Sequence, residues 1–172
     1  GYTVHANDVF KPLYTFWKVA QSDSHALAGC VRSMMPVTKD IFHELRSKIT
    51  STTNELDIAA YYYIINRCSF SGATFCGGYS SQAASGRLTE SSLKTLESVN
   101  LDTIHLSNED CIPFLTRYSD ELIYADPPYY IASYIYGRDG DLHEAFDHEA
   151  FAIEIKKHPK WILSYNDCPY IR

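Results

Sequence analysis

The sequence lacks the long apolar segment that a membrane-spanning helix needs. Its 172 residues are 45% hydrophobic, but no uninterrupted apolar run approaches the roughly 18 residues that a helix needs to cross a bilayer. The N-terminal residues also lack the basic-then-apolar order of a secretory signal peptide. We therefore expect one cytoplasmic domain of ordinary core-forming composition, without a membrane partner.

Closely spaced cysteines are also missing. The chain has five cysteines, an odd number, and no two of them are closer than eight positions. A zinc knuckle needs cysteine pairs only a few residues apart, and a disulfide framework usually has an even number of cysteines. The spacing therefore predicts free thiols and no metal site.

Positive charge is in short supply, with 15 Lys and Arg against 21 Asp and Glu. The net charge of -6 disfavours nucleic acid as a partner, because Lys and Arg neutralise phosphates. The charges are unevenly distributed, however. Residues 101–172 hold six basic and thirteen acidic residues, whereas residues 66–88 hold Arg67 and Arg87 and no acid. This acid-free segment is a candidate for contact with a polyanion, with a chance gap as the equal alternative.

Four short apolar stretches have the composition of buried parallel strands, and each ends in polar residues. They are residues 2–6, 103–106, 121–125 and 161–164. Before the last stretch, Asp147 is placed to cap a helix that has Phe151 and Ile155 on one face and ends before Pro159. The pattern predicts an open, mainly parallel α/β sheet, whose ligands bind beyond the carboxyl ends of its strands.

The region between the first two strands has a different pattern. Residues 9 to about 66 carry apolar side chains at helical spacing, which predicts an inserted helical bundle. Aromatic residues at this spacing, such as Trp17, are more often core than binding surface, so we assign them no chemistry. Residues 67–92 are rich in Gly and Ser, with aromatics around Gly77-Gly78, and predict a hairpin or an ordered loop.

The strongest chemical signal is the tetrapeptide Asp126-Pro127-Pro128-Tyr129, which follows an apolar strand. Its two prolines stiffen the backbone and carry no N–H group. The Asp126 carboxylate, a proline carbonyl and the Tyr129 ring then form a cradle that only accepts hydrogen bonds. These groups complement the amine of an aromatic base, which has two N–H donors and a flat face. A turn with a helix-capping Asp is the competing interpretation.

At these residues the chain resembles the Dam-type, D12 class of DNA adenine N6-methyltransferases, over nearly its whole length. The tetrapeptide 126–129 matches the catalytic tetrapeptide of the family. Asn7 and Asp8 match the strand end whose acidic residue holds the cofactor ribose. The resemblance implies the α/β fold of these enzymes and S-adenosylmethionine as methyl donor. The resemblance also implies three further cofactor-binding residues, at the position where the family accepts a hydrogen bond from the adenine of the cofactor. They are Glu109, Asp110 and Cys111.

The resemblance extends to the acid-free segment and to residues 163–167, which resemble the strand after the catalytic unit. The segment is similar to the target-recognition segment of one branch of the family and implies contact with double-stranded DNA. The DNA-binding residues implied by it are Arg67, Ser69, Ser71, Tyr79, Ser80 and Arg87. The implied domains are a catalytic α/β domain over residues 1–8 and 101–172 and a helical and hairpin target-recognition domain over residues 9–100.

One part of the family pattern does not occur. Members of the family begin with a segment that bears a Lys and a Phe/Gly-rich loop around the methionine end of the cofactor, and no such loop is found here. The family also usually continues with further strands beyond the position of Arg172. We therefore expect the chain to be an internal portion of a methyltransferase with an incomplete catalytic domain.

The predicted reaction transfers a methyl group in line to a weakly nucleophilic amine. Asp126 and the Pro127 carbonyl would accept the protons of the amine as positive charge develops on it. The base cannot reach such a cradle inside a duplex, so it must be flipped out and stacked on Tyr129. Tyr130, Tyr134 and Tyr136, in a polar stretch running to Gly137 and Gly140, are candidates for a closing lid, with a solvated loop as the equal alternative.

Two alternatives stay open. The chain could be a catalytically silent nucleic-acid-binding fragment, or it could methylate an amine of RNA, of cytosine N4 or of a protein glutamine. The resemblance favours adenine, because the tetrapeptide begins with Asp, where Ser is common for cytosine and Asn for glutamine. It also implies a bacterial or phage enzyme in a Dam-like or restriction-modification role, and the second role would add a cognate restriction endonuclease as partner.

Overall fold

The computed structural model describes residues 2–130 and 146–171. Within these ranges the chain forms four short strands, seven α-helices and one turn of 3-10 helix (Phe70–Gly72). The strands are β1 (Val4–Asn7), β2 (Ile104–Ser107), β3 (Ile123–Ala125) and β4 (Trp161–Leu163). The helices are α1 (Lys11–Ser33), α2 (Lys39–Lys48), α3 (Glu55–Cys68), α4 (Ser81–Arg87), α5 (Glu90–Glu97), α6 (Cys111–Arg117) and α7 (His148–Ile155). Among the described helices, none combines the length and the apolar composition that crossing a membrane would take.

The strands pair in parallel, as the sequence predicts. β1 pairs with β2, with Asn7 opposite Ser107, and β3 pairs with β4, with Ala125 opposite Leu163. The α/β architecture with parallel strands is thereby confirmed. The described strands nevertheless form two separate two-stranded sheets, so the prediction of one open sheet is not met within this part of the chain. Because each pair is parallel, the polar residues that follow its two strands lie at the same edge.

Helix α1 consists of two helical segments that meet at Asp23. This residue has φ -157° and ψ 79°, which is not helical. Its carboxylate accepts a hydrogen bond of 2.8 Å from the Ala26 N–H and so caps the second segment. Just before the break, the Gln21 amide donates to the carbonyls of Leu101 and Ile104, at 2.8 and 2.7 Å. These bonds attach α1 to the beginning of β2.

The larger core lies among helices α1 to α5. The helices predicted between residues 9 and 66 are confirmed as α1, α2 and α3, and helix α3 packs along α1. The fully buried large side chains of this core include Leu27, Phe42, Ile64, Ile65 and Leu93. Burying them removes apolar surface from water, which is the main driving force for packing the helices together.

A second, smaller core lies between β3, α6 and α7. Leu115, Ile123, Phe151 and Ile155 are its buried members. The predicted cap of α7 is confirmed, because the Asp147 carboxylate accepts a hydrogen bond of 2.9 Å from the Ala150 N–H. The helix presents Phe151 and Ile155 to the sheet, as their spacing predicts. This packing supports the carboxyl ends of β3 and β4 from one side.

Residues 69–80 form an ordered loop and not a regular hairpin. Its antiparallel pairing is one isolated bridge between Ser69 and Tyr79. Between them, Ser71, Gly72 and Thr74 have positive φ angles of 53°, 73° and 47°. Left-handed residues turn the chain sharply and do not continue an extended ladder. Of the two predicted forms, the ordered loop is therefore the correct one for residues 69–80. For residues 81–92 the prediction is wrong, because this stretch forms helix α4 and the first turn of α5, each begun by a side-chain cap from Ser80 or Thr89.

We expect Leu27→Ala to lower the free energy of unfolding by about 2 to 5 kcal/mol, because the fully buried side chain would leave a cavity in the helical core. Ile153→Ala is a matched control, since Ile153 is 64% exposed. Urea unfolding of both variants measures the difference. Similar losses in the two variants would contradict the assignment of Leu27 to the core.

Candidate functional site

A cleft of about 150 Å³ lies where β1 and β2 end against helix α1. Its floor is polar at the strand ends, with Asn7, Asp8 and Ser107. Its wall is apolar and includes the rings of Tyr14 and Trp17 from the first turns of α1. Sequence periodicity assigned Trp17 to the core, but this residue is 38% exposed and lines the cleft. The cleft thus combines flat apolar surfaces with hydrogen-bonding groups, as small-molecule sites do.

Asn7 joins the carboxyl ends of β1 and β2. Its side-chain oxygen accepts from the Ser107 hydroxyl at 3.0 Å and from the Glu109 N–H at 3.2 Å. Its side-chain nitrogen donates to the Glu109 carbonyl at 3.0 Å. The amide of Asn7 is therefore engaged within the protein. Its effect is to bring the two predicted cofactor segments together, although they are about 100 residues apart in sequence.

Asp8 follows Asn7 in the cleft. Its carboxylate accepts a hydrogen bond of 2.7 Å from the Phe10 N–H. Burial raises the pKa of this carboxyl above its usual value, and the Phe10 bond opposes that effect. Tyr62 lies near it, and burial together with the Asp8 charge raises the pKa of Tyr62 to about 12. A carboxylate has about four acceptor positions, so Asp8 can also accept from the hydroxyls of a ligand.

The three candidates after β2 have different environments. Both oxygens of Glu109 accept from Arg117, at 2.7 and 2.9 Å, and these bonds lower the pKa of the Glu109 carboxyl. Asp110 is exposed and caps α6, accepting from the Ile112 N–H at 2.8 Å. Burial, with a smaller effect of the Asp110 charge, raises the pKa of Cys111 to about 11. Cys111 is therefore a neutral thiol at physiological pH and a poor nucleophile.

Asn108 is a residue of this site that sequence reasoning did not identify. Its side-chain nitrogen donates to the backbone carbonyls of Asp8 and Val9, at 2.8 and 2.9 Å. Asn108 therefore holds the backbone that carries the Asp8 carboxylate. The signal was a polar residue directly after a predicted strand, but the sequence does not reveal which backbone groups lie within its reach.

The tetrapeptide follows β3, at the edge where β4 also ends. Asp126 is exposed, and Pro127 beside it is buried. The Tyr129 hydroxyl lies 2.8 Å from the Ser164 hydroxyl. The rings of Tyr129 and Tyr165 are nearly parallel, at 19°, with centroids 5.8 Å apart. The tetrapeptide thus combines an accessible carboxylate with an aromatic ring held by the segment after β4.

Further aromatic contacts surround this second site. The Tyr130 ring stacks on Tyr170, with centroids 4.1 Å apart, and its plane is nearly perpendicular to that of His148. The Tyr165 hydroxyl forms a hydrogen bond with Nδ1 of His148, the first residue of α7. The other residues of the predicted lid, Tyr134, Tyr136, Gly137 and Gly140, lie outside the described residues.

Two of the predicted DNA contacts are engaged inside the loop. The Arg87 guanidinium donates to the Ser69 carbonyl. Ser69 is fully buried, and its hydroxyl donates to the Asn66 carbonyl and accepts from the Thr74 N–H. Like Arg87, Arg46 of α2 donates to carbonyls of the loop, those of Phe75 and Gly77. These groups hold the loop to the helices.

Two further predicted contacts also have partners within the protein. The Tyr79 hydroxyl donates to the Val37 carbonyl at 3.0 Å. The Ser80 hydroxyl accepts from the Ala83 N–H at 3.2 Å and caps α4. Both side chains are half-buried. Their geometry gives them a role in holding the loop and the beginning of α4 in position.

The remaining predicted contacts leave more of their surface accessible. Arg67 is half-buried, with its guanidinium 5.2 Å from the centroid of the Tyr63 ring. Ser71 is exposed at the tip of the loop. Beside it, Phe70 is 69% exposed, although it is a large apolar residue. Sequence reasoning missed Phe70 because an aromatic residue in a short segment is more often buried.

Metal ligands do not cluster in this part of the chain. Across residues 2–130 and 146–171, no group of three or more His, Cys, Asp or Glu side chains is arranged to hold a metal ion. The carboxylates that follow the strands, Asp8, Glu109 and Asp126, have the separate environments described above.

Comparison with known proteins identifies the family of this chain. The model of the family described as D12 class N6 adenine-specific DNA methyltransferase matches residues 1–172. The match covers the whole chain, including the ends of all four strands, and it confirms the resemblance seen in the sequence. No curated protein matches the chain. Because the family match is complete, the chain belongs to the D12 class of N6 adenine-specific DNA methyltransferases, enzymes that methylate adenine in DNA.

Proposed function

We propose that this chain transfers a methyl group from S-adenosylmethionine to the amine of an adenine flipped out of double-stranded DNA. The observation that carries the proposal is the accessible Asp126 carboxylate beside the fixed Tyr129 ring at the end of β3. We also propose a cytoplasmic enzyme in a Dam-like or restriction-modification role. In this proposal residues 1–8 and 101–172 form the catalytic domain, and residues 9–100 form the target-recognition domain.

Asp126 and the Pro127 carbonyl have the chemistry that the target amine needs. The amine nitrogen forms a bond to the methyl carbon as the carbon–sulfur bond of the donor breaks, and positive charge develops on the nitrogen. Asp126 and the Pro127 carbonyl accept hydrogen bonds from its two N–H groups and stabilise that charge. One of these two protons then leaves the nitrogen for solvent, which gives the neutral methylated amine. The Tyr129 ring supplies a flat surface for the base, which an extrahelical base needs in place of its neighbours in the stack.

The cleft beside Asp8 suits the sugar of a nucleoside. Its volume of about 150 Å³ is smaller than the roughly 300 to 1,000 Å³ of complete ligand pockets, so it accommodates only part of the cofactor. We propose that the Asp8 carboxylate accepts from the ribose hydroxyls. Asp110, exposed at the start of α6, would accept from the adenine amine of the cofactor. S-adenosylmethionine, once bound, supplies the methyl group.

The acid-free segment, residues 66–88, is the proposed DNA contact. Since Ser69 and Arg87 hold the loop together, we propose that DNA contact comes from its outward side, with Arg67 and Ser71 facing phosphates or base edges. Phe70 extends this surface. Apolar side chains exposed on a rigid loop can enter a base step, which compensates for the gap that a flipped base leaves.

The direct test is methyl transfer to nucleic acid. The full-length protein is incubated with labelled S-adenosylmethionine and either duplex DNA or RNA, and the products are digested to nucleosides and identified by mass spectrometry. We expect N6-methyladenine from DNA. Methylation of RNA alone, N4-methylcytosine as product, or DNA binding without methylation would each reject the proposal in favour of another activity.

We expect Asp126→Ala to reduce methyl transfer by about 100-fold or more, because the carboxylate acts on the incoming amine. Cofactor affinity should change little, since Asp126 follows β3 and the proposed cofactor cleft lies at β1 and β2. Asp120→Ala, an exposed residue before β3, is the control. Single-turnover rates and calorimetric cofactor binding measure the two effects. A variant that keeps more than about a tenth of the rate would contradict the role.

We expect Asp8→Ala to weaken cofactor binding by about 1 to 3 kcal/mol, the usual cost of losing a charge-assisted hydrogen bond. For Asp110 the suitable change is Asp110→Asn, which keeps the helix cap and removes the charge. Because the pKa of Asp8 is raised, its carboxylate is protonated at a higher pH than an ordinary Asp. Affinity in the unchanged protein should therefore fall on acidification before that of the Asp8→Ala variant does. Calorimetric titration at several pH values checks both points.

We expect Arg67→Ala and Arg87→Ala to have different effects. Loss of Arg67 should weaken DNA binding and reduce its dependence on salt, because one phosphate or base contact disappears. Loss of Arg87 should chiefly lower the melting temperature, because its partner is the Ser69 carbonyl inside the loop. DNA affinity against salt concentration, together with thermal unfolding, separates the two. If the dependence of DNA affinity on salt concentration is unaltered in both variants, the loop has only a structural role.

A further inference from the structure

The ring of Tyr129 is held from one side by two consecutive residues after β4. Ser164 contacts its hydroxyl, and Tyr165 lies against its ring. Resting on the proposed function, we infer that Ser164 and Tyr165 are positioning residues that fix the Tyr129 ring for the target base. The inference adds two residues to the machinery of methyl transfer, and neither has to touch the substrate.

Ser164 is itself fixed by the sheet. Its N–H donates to the Ala125 carbonyl at 2.9 Å, which extends the pairing of β3 and β4 by one residue. Its side chain then lies 2.8 Å from the Tyr129 hydroxyl. The backbone of Tyr129 directly follows Pro127 and Pro128, whose rings restrict its conformation. The tyrosine is therefore held at its backbone and at the tip of its ring.

Tyr165 restricts the ring of Tyr129 in a second direction. Its plane is 19° from that of Tyr129 at a centroid distance of 5.8 Å, within the range of favourable aromatic pairs. Its own hydroxyl forms a hydrogen bond with Nδ1 of His148 at the beginning of α7. Burial raises the pKa of Tyr165 to about 12, so this hydroxyl keeps its proton at physiological pH.

The arrangement also determines which face of Tyr129 is available. Because Tyr165 lies along one face of the ring, a base can stack only on the opposite face. Stacking on an aromatic side chain stabilises a bound base, and it depends on how the ring is oriented. An error of about 1 Å in placing a reacting group can cost about 100-fold in rate. The orientation of the Tyr129 ring is therefore expected to affect the rate of methyl transfer.

The position of the ring can be measured without any substrate. We place 3-fluorotyrosine at position 129 of the full-length protein and record the fluorine resonance. Ser164→Ala should broaden or shift this resonance, Ser164→Thr should restore it, and Tyr165→Leu should disturb it more than Tyr165→Phe. Ser98→Ala is the control, since Ser98 makes its hydrogen bond with Thr95 in the helical region. A resonance unaltered by both Ser164→Ala and Tyr165→Leu would overturn the inference, whatever the protein methylates.

The second measurement is catalytic and uses duplex DNA that contains the adenine methylated by the wild-type protein. Ser164→Ala should lower the single-turnover rate by about 5- to 30-fold, the equivalent of one lost hydrogen bond, and leave cofactor affinity unchanged. In a Tyr129→Phe background the same change should have little further effect, because the shared bond is already absent. Independent, additive effects would overturn the inference. A wild-type protein that methylates no DNA would reject the proposed function, and the fluorine resonance would still decide the positioning role.

Discussion

The parallel pairing of β1 with β2 is the constraint on which the site depends. It brings Asp8 and Asp110, which are about 100 residues apart in sequence, to one edge of a two-stranded sheet. Two short strands hold this edge weakly by themselves. The Asn7 amide adds three hydrogen bonds across it, and Gln21 attaches helix α1 to the beginning of β2. The large helical core therefore stabilises the cleft indirectly, through α1.

Two arginines of the helical region, Arg46 and Arg87, stabilise a loop, and this affects how a basic segment is interpreted. Arg46 and Arg87 point into the loop and donate to its carbonyls, so their charges replace hydrogen bonds that a regular hairpin would supply. Left-handed residues such as Ser71, Gly72 and Thr74 leave backbone groups of the loop without ladder partners, and a guanidinium with five donors can bind several of these groups. An acid-free sequence therefore does not by itself identify a DNA-binding face, because part of its positive charge stabilises the loop.

Local signals in the sequence predict much of this structure. All four strands and the Asp147 cap are found within two residues of their expected positions, because burial and capping depend on near neighbours. The break of α1 at Asp23 and the positive φ angles of the loop are different. Each depends on a side chain or turn that competes locally with helix or strand, and nothing in periodicity reveals the outcome. A cleft could be predicted at the strand ends, but the exposed Trp17 in its wall could not.

The tetrapeptide shows how catalysis can depend on strand register. Asp126 and Tyr129 follow β3, whereas Ser164 and Tyr165 follow β4, so their contacts exist only while Ala125 lies opposite Leu163. A shift of one residue would turn every side chain of the strand to the other face and carry Ser164 away from Tyr129. The small core under this sheet, with Phe151 and Ile155 from α7, opposes such a shift. Packing beneath the sheet and the position of Tyr129 at its edge are therefore coupled, and a core substitution in α7 would affect the proposed contact between Tyr129 and the target base.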